Sequence, residues 1–90
     1  MKTVRLKISG RVQGVFFRES TKDEANNLGV KGWIRNEPDG TVLIEAVGNE
    51  KDVDKLIKWC REGSELARVE RVEVEELKSG KDYKNFEIKY

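Results

Sequence analysis

The chain has 90 residues, with 18 Lys and Arg against 17 Asp and Glu, one cysteine and no histidine. This length allows one core, so we expect a single domain over residues 1–90. The lack of histidine excludes Ser-His-Asp and Cys-His catalysis, phosphohistidine chemistry and histidine-ligated zinc. The near-neutral net charge of +1 argues against nucleic acid as the main partner.

The single cysteine cannot form an intramolecular disulfide, which favours a reducing cytoplasm. We find no signal-peptide pattern at the N-terminus and no run of the ~20 apolar residues that a membrane span needs. We therefore expect a cytoplasmic protein without a membrane partner. The charged fraction of 39% exceeds the roughly 25% of an average domain. Such a surface is typical of thermophilic proteins with ion-pair networks.

The periodicity of the apolar residues predicts five strands and two helices. The strands cover Thr3–Ser9, Val30–Asn36, Thr41–Val47, Ala67–Leu77 and a short last segment from Phe86 to Tyr90. The first helix runs to about Leu28 before Gly29, and the second lies between its cap Asn49 and Gly63. The segment Lys78–Asp82 is a polar loop.

The order is therefore β-α-β-β-α-β with a short extra C-terminal strand. We predict an α+β protein with a ferredoxin-like split βαβ sandwich, in which an antiparallel sheet carries two helices on one face. Because this architecture hosts many functions, the fold alone indicates none of them.

A glycine-bearing loop joins the first strand to the first helix. Gly10 and Gly14 let the backbone turn sharply, and the helix that follows adds unpaired N–H groups and its positive dipole end. Strand, loop and helix start together predict an anion cradle. Arg18 opposes the helix dipole by roughly 0.3–1 kcal/mol unless an anion binds there. A surface ion pair with Glu19 or Glu24 is the competing interpretation.

Asn36 ends the second strand beside the predicted hairpin turn Glu37–Gly40. It is the candidate partner of Arg18 in a site. Ordinary turn chemistry is the alternative, because asparagine favours such positions.

Other motifs predict no competing chemistry. The loop matches neither the P-loop nor the dinucleotide-binding pattern. Cys60 lies on the apolar stripe of the second helix, which favours core packing over a nucleophile. Asp52 and Asp54 are typical first-turn acids rather than an aspartyl-phosphate nucleophile.

Two weaker alternatives involve exposed residues. Glu73, Glu75 and Glu76 cluster on one strand, where a solvated face among Lys and Arg is favoured over a divalent-ion site. Phe16 and Phe17 lie beside basic residues and would suit stacking of RNA bases, but the third strand lacks the expected aromatic signature.

Two stretches together resemble a known family. Gly10–Arg18 (GRVQGVFFR) and Gly32–Val42 (GWIRNEPDGTV) closely resemble the two signature motifs of the acylphosphatases. The similarity continues through Glu45–Gly48, Trp59-Cys60 and Phe86–Ile88, and so covers essentially the whole chain. Many members have Gly-Pro where this chain has Gly63-Ser64, and we expect this difference to touch no chemistry.

The resemblance implies hydrolysis of a carboxyl–phosphate anhydride to a carboxylate and inorganic phosphate, with no metal and no cofactor. It implies that Arg18 binds the phosphate and that Asn36 positions the attacking water. The remaining implied substrate-binding residues, which surround the phosphate with backbone N–H groups, are Arg11, Val12, Gln13, Gly14, Val15, Phe16 and Phe17.

The implied partners are a small acyl phosphate and inorganic phosphate, as product and inhibitor, and we expect a monomer. Two alternatives remain open. One is a ferredoxin-like anion-binding or regulatory module without turnover. The other is a detached relative of the acylphosphatase-like domain of larger maturation proteins that use carbamoyl phosphate.

Overall fold

A computed structural model describes residues 1–78 and 82–90. Within these residues the chain forms five strands and two helices. They are β1 (Lys2–Arg11), α1 (Phe17–Leu28), β2 (Lys31–Asn36), β3 (Val42–Gly48), α2 (Glu50–Glu62), β4 (Arg68–Leu77) and β5 (Phe86–Ile88). Each lies within a few residues of its predicted position. The predicted loop Lys78–Asp82 falls largely outside the described residues.

The strands form one sheet in the order β4-β1-β3-β2-β5. The pairs among β4, β1, β3 and β2 are antiparallel, whereas β5 lies parallel to β2, with Ile34 opposite Ile88. The predicted ferredoxin-like split βαβ fold is confirmed, and the sheet is mixed rather than wholly antiparallel. A three-residue strand shows too little alternation to indicate its direction.

Both helices cover one face of the sheet. Val4, Leu6 and Ile8 of β1 point toward the helices and are fully buried, as their alternation predicts. The helices bury their own apolar stripes against this face. This burial stabilises the fold by about 25 cal/mol per Å² of apolar surface removed from water. The buried helical residues are Phe17, Thr21, Ala25, Val53, Leu56 and Cys60.

The opposite face of the sheet is held by a polar network around Glu45, which is only 2% exposed. Its carboxylate accepts hydrogen bonds from Arg5 Nη2 at 3.2 Å and from Tyr83 Oη at 2.9 Å. The Tyr83 oxygen in turn accepts from Trp33 Nε1 at 3.1 Å. Burial, together with the Glu45 carboxylate, raises the pKa of Tyr83, so the phenol stays neutral and keeps donating.

Neither described helix, of 12 and 13 residues, is long and apolar enough to cross a membrane.

Candidate active site

The loop between β1 and α1 turns at residues with positive φ. A bulge at Ser9/Gly10 shifts the register of β1 against β4, after which pairing continues to Arg11, and Gly10 has a φ of 122°. A Cβ on Gly10 would lie 2.2 Å from the Arg68 carbonyl oxygen, so only glycine fits the bulge. Gly14 follows with a φ of 74°. The predicted role of the two glycines in the turn is confirmed.

Phe16 starts α1 in a conformation that phenylalanine rarely adopts. Its φ and ψ are 61° and 20°, the left-handed region, and it is the one non-glycine residue with positive φ among those described. This conformation costs an L-residue roughly 1–2 kcal/mol. Strain of this kind is concentrated at functional sites, where neighbouring structure holds it in place.

The first turn of α1 has no capping side chain. The carbonyl of Phe16 accepts from Ser20 N at 3.0 Å. The N–H groups at the helix start have no intrahelical partner, and the residues there line a depression of about 200 Å³. This depression is lined by Val12, Gly14, Phe16, Phe17, Arg18 and Glu19. Free N–H groups beside an arginine form a site for an anion.

Arg18 is the second residue of α1, as predicted, and it is half-buried. Its guanidinium lies over the ring of Tyr90, with Cζ 5.1 Å from the ring centroid. Among the described residues it forms no ion pair with Glu19 or Glu24. The ring supports the flat guanidinium without neutralising its charge.

Asn36 ends β2 on the same side of the sheet as the core residue Ile34. Val42 pairs with both Ile8 and Asn36, so one rung of the sheet links the end of β1 to Asn36 across β3. The side-chain oxygen Oδ1 is buried and has no hydrogen-bond partner in the described protein. A buried carbonyl without a partner costs about 1–3 kcal/mol, so this oxygen is unsatisfied within the described protein.

Gln13 joins the two halves of the site. Its side-chain Nε2 donates to the Glu37 and Thr41 carbonyl oxygens, both at 2.9 Å. These residues flank the turn that follows Asn36, and Glu37 N also donates to Thr41 O at 2.8 Å. The side chain therefore holds the cradle loop against the hairpin that carries Asn36. This role was not foreseen, because a backbone carbonyl acceptor leaves no mark in the sequence.

The remaining predicted loop residues contribute in different ways. Val12, Val15 and Phe17 are buried and belong to the core, and Val12 and Phe17 also line the depression. Phe17 packs on Trp59, with ring centroids 5.8 Å apart, and is not free to stack on a base. Arg11 is exposed at the end of β1, and it is not one of the described residues that line the depression.

The competing motifs have structural explanations. Cys60 is fully buried, and burial raises the pKa of its thiol to about 12, so it is a core residue as predicted. Asp54 pairs with Lys2 Nζ at 2.9 Å at the start of α2. Glu73 pairs with Arg71 at 3.4 Å, and Glu75 lies opposite Arg5 in the sheet.

The structure adds a contact that concerns Ser64. Its Oγ donates to the Val15 carbonyl oxygen at 3.0 Å, across 49 positions of sequence. Ser64 thus contacts the cradle loop, and the expectation that the Gly63-Ser64 segment touches no chemistry stays a prediction.

The fold and the site together define a small α+β domain that presents an uncapped helix start, an arginine and a buried amide oxygen at one end of its sheet. Comparison with known proteins identifies the family. The acylphosphatase family model matches residues 4–88. An acylphosphatase of Rubrobacter xylanophilus is 52% identical over 88 residues, covering 98% of this chain and 80% of that protein.

Solved structures agree with this assignment. The crystal structure of acylphosphatase from Bacillus subtilis has a TM-score of 0.97 and 34% identity, with both chains fully covered. HypF of T. kodakarensis contains a similar region, with a TM-score of 0.86 and 27% identity, but this chain covers only 12% of it. The chain belongs to the acylphosphatase family. It is accordingly an enzyme that hydrolyses the carboxyl–phosphate bond of acyl phosphates.

Proposed function

We propose that Arg18 and the loop amides hold the phosphoryl group of the substrate and that Asn36 orients the attacking water. The open start of α1 supports the first half of the proposal, because its first residues, Arg18 among them, line one depression and no side chain caps its N–H groups. Arginine offers a permanently charged, bidentate fork for phosphate oxygens. The amides are fixed in the backbone and need no reorganisation as charge develops.

The buried and unpartnered Oδ1 of Asn36 is the observation that carries the second half. An amide oxygen can accept a hydrogen bond from water, and the amide nitrogen can donate to a substrate oxygen. Held by the sheet register, Asn36 would leave one lone pair of the water directed at phosphorus. Positioning of this kind converts water from solvent into an oriented nucleophile.

The proposed reaction is an in-line displacement at phosphorus. The water oxygen bonds to phosphorus, the bond from phosphorus to the bridging oxygen breaks, and the carboxylate leaves with the electron pair. Neither Arg18 nor Asn36 is a base at neutral pH, so a substrate phosphate oxygen takes the proton of the water. A carboxylate is a good leaving group, and the protein mainly has to position water and stabilise charge on the phosphoryl group.

An assay of an aryl acyl phosphate tests the proposal. We expect release of carboxylate and phosphate, competitive inhibition by inorganic phosphate, and unchanged activity in chelator. Asn36→Ala should lower kcat by at least ~10²-fold, by analogy with the loss of a preorganised donor. Inhibition by phosphate should persist in this variant, because Arg18 and the loop are intact. The exposed Asn27→Ala is the matched control and should leave kcat unchanged. Normal turnover of Asn36→Ala would refute the assignment.

We propose inorganic phosphate as a product inhibitor for the same reason that the substrate binds, since both present the same oxygens to the cradle.

We also propose that the protein acts as a monomer in the cytoplasm, where the free Cys60 would stay reduced. Light scattering measures the oligomeric state, and fractionation of cells measures the cytoplasmic location. A panel of acetyl, carbamoyl and aryl acyl phosphates distinguishes the carbamoyl-specific alternative, and phosphate binding without any turnover would favour the regulatory module.

A further inference from the structure

Ser64 lies just beyond the end of α2, where the chain turns toward β4. Gly63 has a φ of 79°, and a Cβ there would lie 2.9 Å from Val69 Cγ2 and 3.4 Å from Phe17 Cε2. Glycine thus lets the exit of α2 pack closely beside the start of α1. At this approach the Ser64 hydroxyl reaches the cradle loop and donates to Val15 O at 3.0 Å.

The contacted carbonyl controls the next peptide unit. The peptide bond between Val15 and Phe16 is trans and planar, so its C=O and N–H point in opposite directions. Ser64 is not one of the described residues that line the depression, whereas Phe16 is. A carbonyl turned toward Ser64 therefore points the Phe16 N–H away from Ser64, and Phe16 lines the depression.

The conformation of Phe16 makes this orientation important. A bulky residue in the left-handed region relaxes to negative φ unless its neighbours prevent it. Such a relaxation would rotate the Val15–Phe16 peptide and carry the N–H away from the site. The buried Val15, at 4% exposure, offers its carbonyl no solvent as an alternative partner.

We infer that Ser64 is a positioning residue, whose hydroxyl fixes the Val15–Phe16 peptide so that the Phe16 N–H donates to the substrate phosphoryl group. The inference rests on the proposed role of the cradle. The inferred site then includes a residue that follows the C-terminal end of α2, and the Ser64 hydroxyl contributes to the affinity for phosphate.

Ser64→Thr and Ser64→Val form a matched pair, of equal shape but with and without the hydroxyl. We expect Ser64→Thr to bind inorganic phosphate as the native protein does and Ser64→Val to bind it about 3- to 10-fold more weakly, as expected for one lost donor to an anion. The KM for an aryl acyl phosphate should rise in parallel. Calorimetry measures phosphate affinity, and denaturant unfolding checks that both variants fold. Should Ser64→Val not fold, Ser64→Ala replaces it.

The amide resonance of Phe16 provides a readout that a purely structural role would not move. In the native protein and in Ser64→Thr, phosphate should shift this resonance strongly, and in Ser64→Val the shift should shrink. Equal phosphate affinity and equal Phe16 shifts in the Thr and Val variants would overturn the inference, even if Ser64→Val is less stable. Failure of the cradle itself is distinguishable, because phosphate would then leave the Phe16 resonance of the native protein unmoved.

Discussion

The two helices of this protein begin in opposite ways. α2 starts at Asn49, whose side chain accepts from Lys51 N at 3.0 Å, with Glu50 and Asp52 in the first turn. α1 starts at the left-handed Phe16 and has no side-chain cap. Both helices carry a cation as their second residue, Lys51 in α2 and Arg18 in α1.

The proposed site accounts for this difference, because stability given up at the start of α1 would leave its N–H groups open to an anion. The cap and acids of α2 satisfy its N–H groups and its dipole from within the chain. At α1 no side chain caps these groups, Arg18 opposes the dipole beside a single first-turn acid, Glu19, and Phe16 carries backbone strain. Each feature is unfavourable alone, and an anion in the depression would compensate for all of them together.

Removing the cation from each helix start gives the largest expected contrast. Arg18→Gln should lower kcat/KM by at least ~10²-fold, because the charge that faces the phosphoryl group is lost. Lys51→Gln, at the equivalent position of α2, should change it by no more than about twofold, as expected of a surface substitution. Steady-state kinetics of both variants measures the contrast. Equal effects of the two substitutions would show that the open start of α1 has no special role.

Releasing the loop that leads into α1 should have a smaller effect. Gln13→Met removes the two hydrogen bonds to the hairpin, and we expect kcat/KM to fall about 10-fold, since small misplacements are costly in catalysis. The free energy of unfolding should fall by about 1 kcal/mol, because both carbonyls keep a backbone donor. Kinetics and urea unfolding measure the two quantities. Gln13→Glu, which keeps the size but sets a carboxylate against the two carbonyl oxygens, should lower both quantities further. Native activity in both variants would contradict the proposed link.

Removing the cap of α2 should affect stability alone. Asn49→Ala should lower the free energy of unfolding by about 1 kcal/mol, the usual value of a lost N-cap. Turnover should stay within about twofold of the native value, because α2 presents no N–H groups to the site. Thermal or urea unfolding and the standard assay measure both. Asn49→Asp keeps a capping oxygen and serves as the control, and a large loss of turnover in Asn49→Ala alone would contradict the contrast between the helix starts.

Much of the fold could be predicted because periodicity reports directly on burial. The alternation of Val4, Leu6 and Ile8 located β1 and its buried face correctly. The strand proved longer than predicted, because the bulge at Gly10 lets pairing continue to Arg11. The direction of β5 relative to β2 could not be predicted, since the alternation of three residues does not indicate strand direction.

For the site, sequence placed Arg18 at the helix start and Asn36 at the end of β2, and both lie where predicted. Their roles stay proposals. The supporting contacts of Gln13 and Ser64 could not be predicted, because both side chains donate to backbone carbonyls distant in sequence. The left-handed Phe16 was equally hidden, since nothing in its residue type favours that conformation.

The sheet order also has a consequence for how the enzyme gains activity during folding. β1 lies between β3 and β4, so its partners come from distant parts of the chain, with Lys2 opposite Gly48 and Thr3 opposite Leu77. Folds dominated by such non-local pairs fold slowly, over roughly milliseconds to seconds. The cradle loop and Asn36 lie on either side of β3, so neither can meet the other before β3 has inserted between them. Recovery of hydrolysis after dilution from denaturant is therefore expected to follow the formation of the central strands and to report the completion of the sheet.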